Sequence, residues 1–94
     1  MPRYLIVRKF HVAEDKMPAV GQRSRQIVDD LGIVWEHSHV TIDDAGAVKT
    51  FCVYEAPSEE ELRTHAERLG GHDVEVLAEI AGDITPADFP AAAD

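Results

Sequence analysis

The spacing of apolar residues along the 94-residue chain changes several times between the pattern of a strand and that of a helix, and the order of these changes constrains the fold more than any other feature. Residues 3–10 predict a strand that is covered on both faces, because apolar side chains occupy both sets of alternating positions. Apolar residues then recur at helical spacing over 17–31. Two further strand-like runs, 33–42 and 47–55, flank a turn at 43–46 that ends in glycine. This part of the chain therefore predicts a strand, a helix and a β-hairpin.

A second helix and a last strand complete the pattern. The run Ser-Glu-Glu-Glu at 58–61 forms a capping box before a helix that ends at a glycine pair, 70–71. A strand follows over 74–80. The order β-α-β-β-α-β predicts an α+β fold: four antiparallel strands with the second at an edge, and two glycine-terminated helices on one face. We expect one domain over 1–82 and a Pro/Ala-rich tail over 83–94.

Charge and composition exclude several classes of partner. Nine Lys and Arg against 18 Asp and Glu give a net charge of −9, so we expect no binding to nucleic acid or to an anionic membrane. No stretch approaches the ~18 apolar residues of a bilayer-spanning helix, and the first strand-like run begins too close to Met1 for a signal peptide. The lone cysteine, Cys52, cannot form an intramolecular disulfide. These features favour a cytoplasmic protein.

Pairing of the two hairpin strands determines which side chains share a face. If they pair across the turn, His37 or His39 lies opposite Cys52. Trp35 or His37 lies opposite Tyr54. Because side chains alternate between the two faces of a strand, one surface is expected to carry Trp35, His37, His39, Thr50, Cys52 and Tyr54.

This histidine-rich surface is predicted to be the open face of the sheet, away from the helices and continued by Tyr4 and Ile6. So many aromatic and apolar groups are not expected to stay in water. We therefore expect a homodimer in which a second copy covers this face and leaves a cleft near the histidines. The tail is expected to be disordered or to lie over the partner, with Phe89 as its anchor.

Two imidazoles two residues apart on a strand, with a thiol across the ladder, form a nitrogen and sulfur ligand set. His37, His39 and Cys52 would suit nickel, zinc or copper and not magnesium or calcium. The competing interpretation is surface histidines beside a small buried thiol. His65 occupies a core-facing position of the second helix, where it is either a further ligand or a structural histidine. His72 falls in a predicted loop.

Four segments carry a family resemblance: 4–8 (YLIVR), 34–40 (VWEHSHV), 51–57 (FCVYEAP) and 63–66 (RTHA). They resemble a family of short bacterial proteins of unknown function, some of which are described as nickel-binding. The resemblance extends to about Ile80. It implies a ferredoxin-like fold, a dimer and metal binding. The family's pattern falls here on Trp35, His37, Ser38, Cys52, Tyr54, Glu55 and His65.

Two positions depart from that pattern. His39 stands where the family usually has tyrosine, and Phe51 stands where tyrosine is common. The imidazole of His39 would add a ligand or replace a phenol lining the cleft. The alternation of side chains along the hairpin strands also places His37 and Cys52 on the open face, whereas His65 is expected on the helix-covered face. All three would share one ion only if a bulge or a partner subunit intervenes.

Two functions follow as hypotheses. In the first, the chain binds a transition metal, with nickel preferred over zinc or copper, and acts as a buffer, sensor or sequestering module. In the second, a dimeric α+β barrel binds or transforms a small organic molecule in a His/aromatic cleft, with His37 or His39 as acid or base. The sequence carries no phosphate loop and no activated nucleophile. A catalytic role is therefore the less favoured interpretation.

Overall fold

The computed structural model describes residues 1–92 and contains four strands and two helices. These elements are β1 (Arg3–Phe10), α1 (Met17–Leu31), β2 (Val34–Ile42), β3 (Val48–Glu55), α2 (Glu59–Leu69) and β4 (His72–Glu79). Short 3-10 turns lie at Glu14–Lys16 and Pro86–Asp88. The predicted domain boundary and tail, 83–94, stay predictions, and the last two residues of that tail lie outside the described residues.

The four strands form one antiparallel sheet in the order β2-β3-β1-β4. The predicted β-α-β-β-α-β ferredoxin-like fold is confirmed, including the position of β2 at an edge. Both helices pack on one face of the sheet, where Val28 of α1 and Leu62 of α2 join the core cluster. No helix in the described part of the chain is long and apolar enough to cross a membrane.

Helix ends follow the sequence signals. Gly32 and Gly70, at the ends of α1 and α2, both have a positive φ of 66°, which glycine adopts without steric cost. At the start of α2, a carboxylate oxygen of Glu61 accepts a hydrogen bond from the backbone N–H of Ser58 at 3.0 Å. The Ser58 hydroxyl donates to the same carboxylate oxygen, and this side-chain hydrogen bond is the main reason that the pKa of Glu61 lies below its ordinary value. The predicted capping box is therefore present.

The core lies between the helices and one face of the sheet. Burial alternates strictly along β3, where the even-numbered residues from Val48 to Tyr54 are buried and the odd-numbered ones are half-buried. The cluster under the helices contains Tyr4, Ile6, Val28, Ile33, Cys52, Tyr54, Ala56 and Leu62. Several residues predicted for the open face are therefore part of the core.

The register of the β2–β3 hairpin, which includes a β-bulge in β2, changes the predicted assignment of faces. Trp35 pairs with Tyr54 as expected, but the register then shifts, and Ser38 instead of a histidine pairs with Cys52. The extra residue, Glu36, forms an ion pair with Arg3 in which Nε and Oε2 are 2.8 Å apart. A shift of one residue moves every side chain to the other face. The prediction that His37, His39 and Cys52 share a face is therefore wrong.

The reversal also changes the surface that is open to solvent. Tyr4, Ile6 and Tyr54 are at most 6% exposed beneath the helices, so they are not available to a second subunit. The open face instead carries a set of apolar residues, all but Val7 half-buried or exposed, together with the two histidines. Its apolar members are Leu5, Val7, Phe51, Val53, Val76 and Ala78. The homodimer stays a prediction, but its predicted contact residues are corrected.

Candidate functional site

The four predicted metal ligands fall into two pairs on opposite faces of the sheet. His37 and His39 lie on the open face of the edge strand β2, where both side chains are exposed. Their rings are close, with centroids 5.3 Å apart and planes at 80°. Residues at this spacing on a strand point the same way, so both imidazoles are accessible to one ion.

Cys52 and His65 form the second pair and belong to the helix-covered side. The Cys52 side chain is 3% exposed within the core cluster, and His65 of α2 is fully buried. Within residues 1–92, no group of three His, Cys, Asp or Glu side chains is close enough to hold a metal ion. A single subunit thus does not bring His37, His39, Cys52 and His65 together.

Both ring nitrogens of His65 are engaged in hydrogen bonds. The Nη2 group of Arg8 donates to Nδ1 at 3.0 Å, and Nε2 lies 3.0 Å from Oγ of Ser24. Because a guanidinium only donates, Nδ1 is unprotonated and Nε2 carries the hydrogen that is donated to Ser24. Burial, reinforced by the positive charge of Arg8, lowers the pKa of His65 to about 4. His65 is therefore a neutral histidine at neutral pH.

Arg8 makes an equivalent contact with a second histidine. Its Nη1 group donates to Nε2 of His72 at 2.8 Å, and Nδ1 of His72 donates to the carbonyl oxygen of Gly70 at 2.8 Å. Burial lowers the pKa of His72 as well. His72 is the first residue of β4 and not part of a loop, which corrects its predicted position. One guanidinium thus links β1, α2 and β4.

Arg8 is a candidate site residue that the sequence interpretation missed. Its side chain is only 1% exposed, and its carbon Cζ lies 5.8 Å from the centre of the Tyr54 ring. No ion pair within the described residues includes Arg8, and both of its histidine partners are neutral. The available signal was positional, because Arg8 occurs at the same alternate positions of β1 as Ile6 and Phe10.

A largely apolar cavity of about 320 Å³ lies beside this network, between α1 and the sheet. Aromatic and aliphatic side chains form most of its wall, including Phe10, Trp35 and Val20. Arg8 and Thr50 contribute polar groups. A groove of about 570 Å³ on the outer surface of α1 and α2 is larger, but charged residues such as Asp30 line it. The smaller cavity combines burial with polar groups and is the better candidate binding site.

The aromatic cleft predicted near the histidines is therefore divided. The Trp35 and Tyr54 rings stack with centroids 6.1 Å apart on the cavity side of the sheet. His37 and His39 lie on the other side. The cavity and the exposed histidine pair are two separate candidate sites, each with its own chemistry.

Comparison with known proteins gives the family. The profile of the family described as "Nickel responsive protein SCO4226-like" matches residues 4–80. The crystal structure of SCO4226 from Streptomyces coelicolor A3(2) superposes with a TM-score of 0.66 at 20% sequence identity, and the match covers 87% of this chain and 99% of that one. A search of curated proteins found no match. The chain belongs to the SCO4226-like family of nickel responsive proteins.

Proposed function

We propose that this protein binds nickel through His37 and His39 and acts as a buffer, sensor or sequestering module for that metal. The observation that carries the proposal is the pair of exposed imidazoles with ring centroids 5.3 Å apart. Imidazole nitrogen suits nickel, copper and zinc, so ligand chemistry alone does not select one metal. The description of the family supports nickel as the metal.

Two imidazoles leave further positions on the ion to water or to a second copy of the chain. We propose a homodimer through the open face, because this face exposes apolar groups on β1, β3 and β4. Val76 is 42% exposed, and Leu5, Phe51 and Val53 on the same face of the sheet are half-buried. Burying such side chains contributes on the order of 1 kcal/mol or more each. A partner placed there would also bring its own histidines near the edge of the interface.

Cys52 and His65 are the remaining predicted ligands, and the proposal gives them no direct role in the exposed site. His65 would have to give up hydrogen bonds to Arg8 and Ser24 before a metal could reach its nitrogens. Cys52 would need the core to open. We further propose a reducing location such as the cytoplasm, where this lone thiol stays reduced.

Nickel titration of chelator-treated protein tests this assignment. Isothermal titration calorimetry should give clear binding for the wild type and a loss of about tenfold or more in affinity for His37→Ala and for His39→Ala. His11→Ala is the matched control. It removes another exposed imidazole, one that lies 2.8 Å from Asp73 and far from the pair. This variant should keep wild-type affinity.

The same titration distinguishes the two faces. Cys52→Ser and His65→Ala should keep nickel affinity, apart from any loss that follows reduced folding. If only these two variants lose binding, the metal lies on the helix side of the sheet and the proposal fails. Binding to His37 and His39 should also weaken in acid and release protons, because a metal competes with protons for imidazole nitrogens.

The oligomeric proposal has its own readout. Light scattering at micromolar concentration should give twice the 10.4 kDa chain mass. Val76→Asp would place a carboxylate in the proposed interface and should shift the protein toward monomer. A wild-type protein that stays at the mass of one chain would refute the dimer without affecting the histidine assignment.

A further inference from the structure

The cavity between α1 and the sheet carries features that nickel binding does not use. The first is a buried cation. Arg8 lines the cavity at 1% exposure, and its guanidinium stays ionised at any ordinary pH. Its partners, His65 and His72, are neutral acceptors. A buried charge is stable only when it is paired or fully hydrogen-bonded. An anionic group would therefore be strongly favoured at the Arg8 end of the cavity.

A hydroxyl group lies beside that cation. Thr50 pairs directly with Arg8 across β3 and β1, so both side chains stand next to each other on the same face. The Thr50 side chain is 6% exposed and lines the cavity, and its Oγ1 has no hydrogen-bond partner within the described residues. Buried polar atoms are nearly always hydrogen-bonded. A ligand oxygen placed between Arg8 and Thr50 would accept from both.

The rest of the cavity is suited to an apolar body. Phe10, Trp35 and Tyr54 supply aromatic surfaces, and Met17 and Val20 supply aliphatic ones. A volume of about 320 Å³ is at the small end of the range for ligand sites, roughly 300–1,000 Å³. Aliphatic acids with long chains would exceed it.

Gly21 helps to keep the cavity open. It lies within α1, where glycine costs the helix up to about 1 kcal/mol relative to alanine. Its backbone does not require glycine, because its φ is not positive. A Cβ atom built at this position would meet nothing within 4 Å, and Gly21 lines the cavity. Packing inside the chain does not explain this glycine, and its missing side chain leaves this part of the cavity empty.

We propose that this cavity binds a small organic acid, with an aromatic or branched apolar body against the cavity wall and the carboxylate on Arg8 and Thr50. The ligand enters beside the edge strand β2, where Val40 lines the cavity and is 56% exposed. The site is independent of the proposed nickel site, which lies on the opposite face of the sheet.

Benzoate and phenylacetate are suitable probes, with benzyl alcohol as a neutral control. Titration into chelator-treated protein, followed by backbone amide NMR, should give saturable shifts at the cavity-lining residues for at least one acid. The acid should bind about tenfold or more tightly than the alcohol, because only the carboxylate reaches Arg8 as an anion. Equal binding of acid and alcohol would overturn the assignment of Arg8. Absence of saturable shifts with both acids would overturn the proposal as a whole.

Gly21→Leu provides a variant that blocks the cavity without touching Arg8 or Thr50. It should retain a dispersed amide spectrum and lose acid binding. Gln22→Leu is the matched control, since it adds the same side chain at the next, exposed position of α1. Its acid affinity should equal that of the wild type. If Gly21→Leu still binds the acid, the acid occupies another site and the proposal is wrong.

Thr50→Val tests the carboxylate position, because it removes the hydroxyl and keeps the branched shape. We expect a several-fold loss in acid affinity and little change in affinity for benzyl alcohol. Equal losses for both probes would show that the substitution perturbs packing only, which would count against the predicted hydrogen bond from Thr50.

Discussion

The two faces of one four-stranded sheet give histidine two different roles. On the helix-covered face, His65 is fully buried and shares hydrogen bonds with Arg8 and Ser24. On the open face, His37 and His39 are exposed, and their rings contact only each other among aromatic groups within the described residues. A buried imidazole beside a fixed cation stays neutral, and hydrogen bonds occupy both of its ring nitrogens. A pair of exposed imidazoles has ring nitrogens that an ion can reach. Residue type alone does not identify a ligand.

The two faces also differ in how their stability depends on packing. Under the helices, the core contains residues with no exposure at all, such as Ile6, Val48 and Leu62. On the open face, Val7 at 6% is the most buried residue, and Val76 retains 42% exposure. In a chain of this size the helix-covered face supplies most of the hydrophobic stabilisation. The free energy of unfolding is expected to reflect the structure of the two faces in four ways.

The largest effect is expected for truncation of the helix-side core. Leu62→Ala should lower the free energy of unfolding by about 2–5 kcal/mol, because it leaves a cavity between α2 and the sheet. Val76→Ala on the open face should cost less than about 1 kcal/mol in a monomer. Urea denaturation followed by circular dichroism measures both. Comparable losses at the two positions in a protein shown to be monomeric would contradict the core placement.

A second effect follows from the pKa of His65. This pKa falls from 6.5 to about 4 on folding, so the unfolded chain binds a proton that the folded chain rejects between these pH values. The contribution of neutral His65 to the free energy of unfolding should therefore be fully present above pH 6.5. It should decrease as the pH falls toward 4, by on the order of 3 kcal/mol in total. The lowered pKa of His72 acts in the same direction. Urea titrations at half-unit pH intervals measure this loss.

The matched variants for this pH dependence are His65→Gln and His39→Gln. Glutamine at 65 can accept from Arg8 and donate to Ser24, but it does not titrate. The His65 variant should therefore show a flatter stability profile between pH 6.5 and pH 5, whereas the His39 variant keeps the wild-type slope. A wild-type slope in the His65 variant would mean that His65 is protonated in the folded protein.

A third effect concerns the turn that determines the register of β2 with β3, and hence which side chains share a face. Gly46 has φ of 83°, and its N–H donates to the carbonyl oxygen of Asp43 at 2.9 Å. Gly46→Ala should cost about 1–2 kcal/mol, because a side chain is unfavourable in the left-handed region. Thermal unfolding should show a lower midpoint with the same sheet content. An unchanged midpoint would argue against this turn geometry.

Most of the fold could be predicted from the sequence, because each signal was local. The helical period of α1, the capping residues Ser58 and Glu61, and the glycines after both helices each act within one turn of backbone. The edge position of β2 followed from the element order and the handedness of crossovers. Such features depend on few contacts, so sequence reasoning identified them.

The faces on which the site residues lie were harder to predict than the fold, because a shift of one residue in the pairing of β2 with β3 exchanges the two faces. Three residues separate Asp43 from Ala47, and the Asp43 N–H donates to the Ala47 carbonyl oxygen at 3.1 Å. A three-residue loop that ends in left-handed glycine was a readable signal. The bulge at Glu36 was not, since its partner Arg3 lies far away in the chain. The register from the turn pairs Ser38 with Cys52, which places Cys52 on the face opposite the histidine pair, and the bulge returns Trp35 to the face of Cys52.

The smallest expected effect has the opposite sign and tests why α1 tolerates a glycine above the cavity. Gly21→Ala should raise the free energy of unfolding by about 0.5–1 kcal/mol, because alanine favours the helix and its Cβ meets no atom within 4 Å. The same substitution is expected to destabilise the protein at Gly46. Comparing the two variants therefore distinguishes the effect of backbone conformation from the effect of helix propensity. Thermal unfolding of the apo protein measures the gain. A loss of stability at Gly21 would mean that α1 packs more closely on the sheet than this cavity allows, and the helix-covered face would then have no room for a ligand.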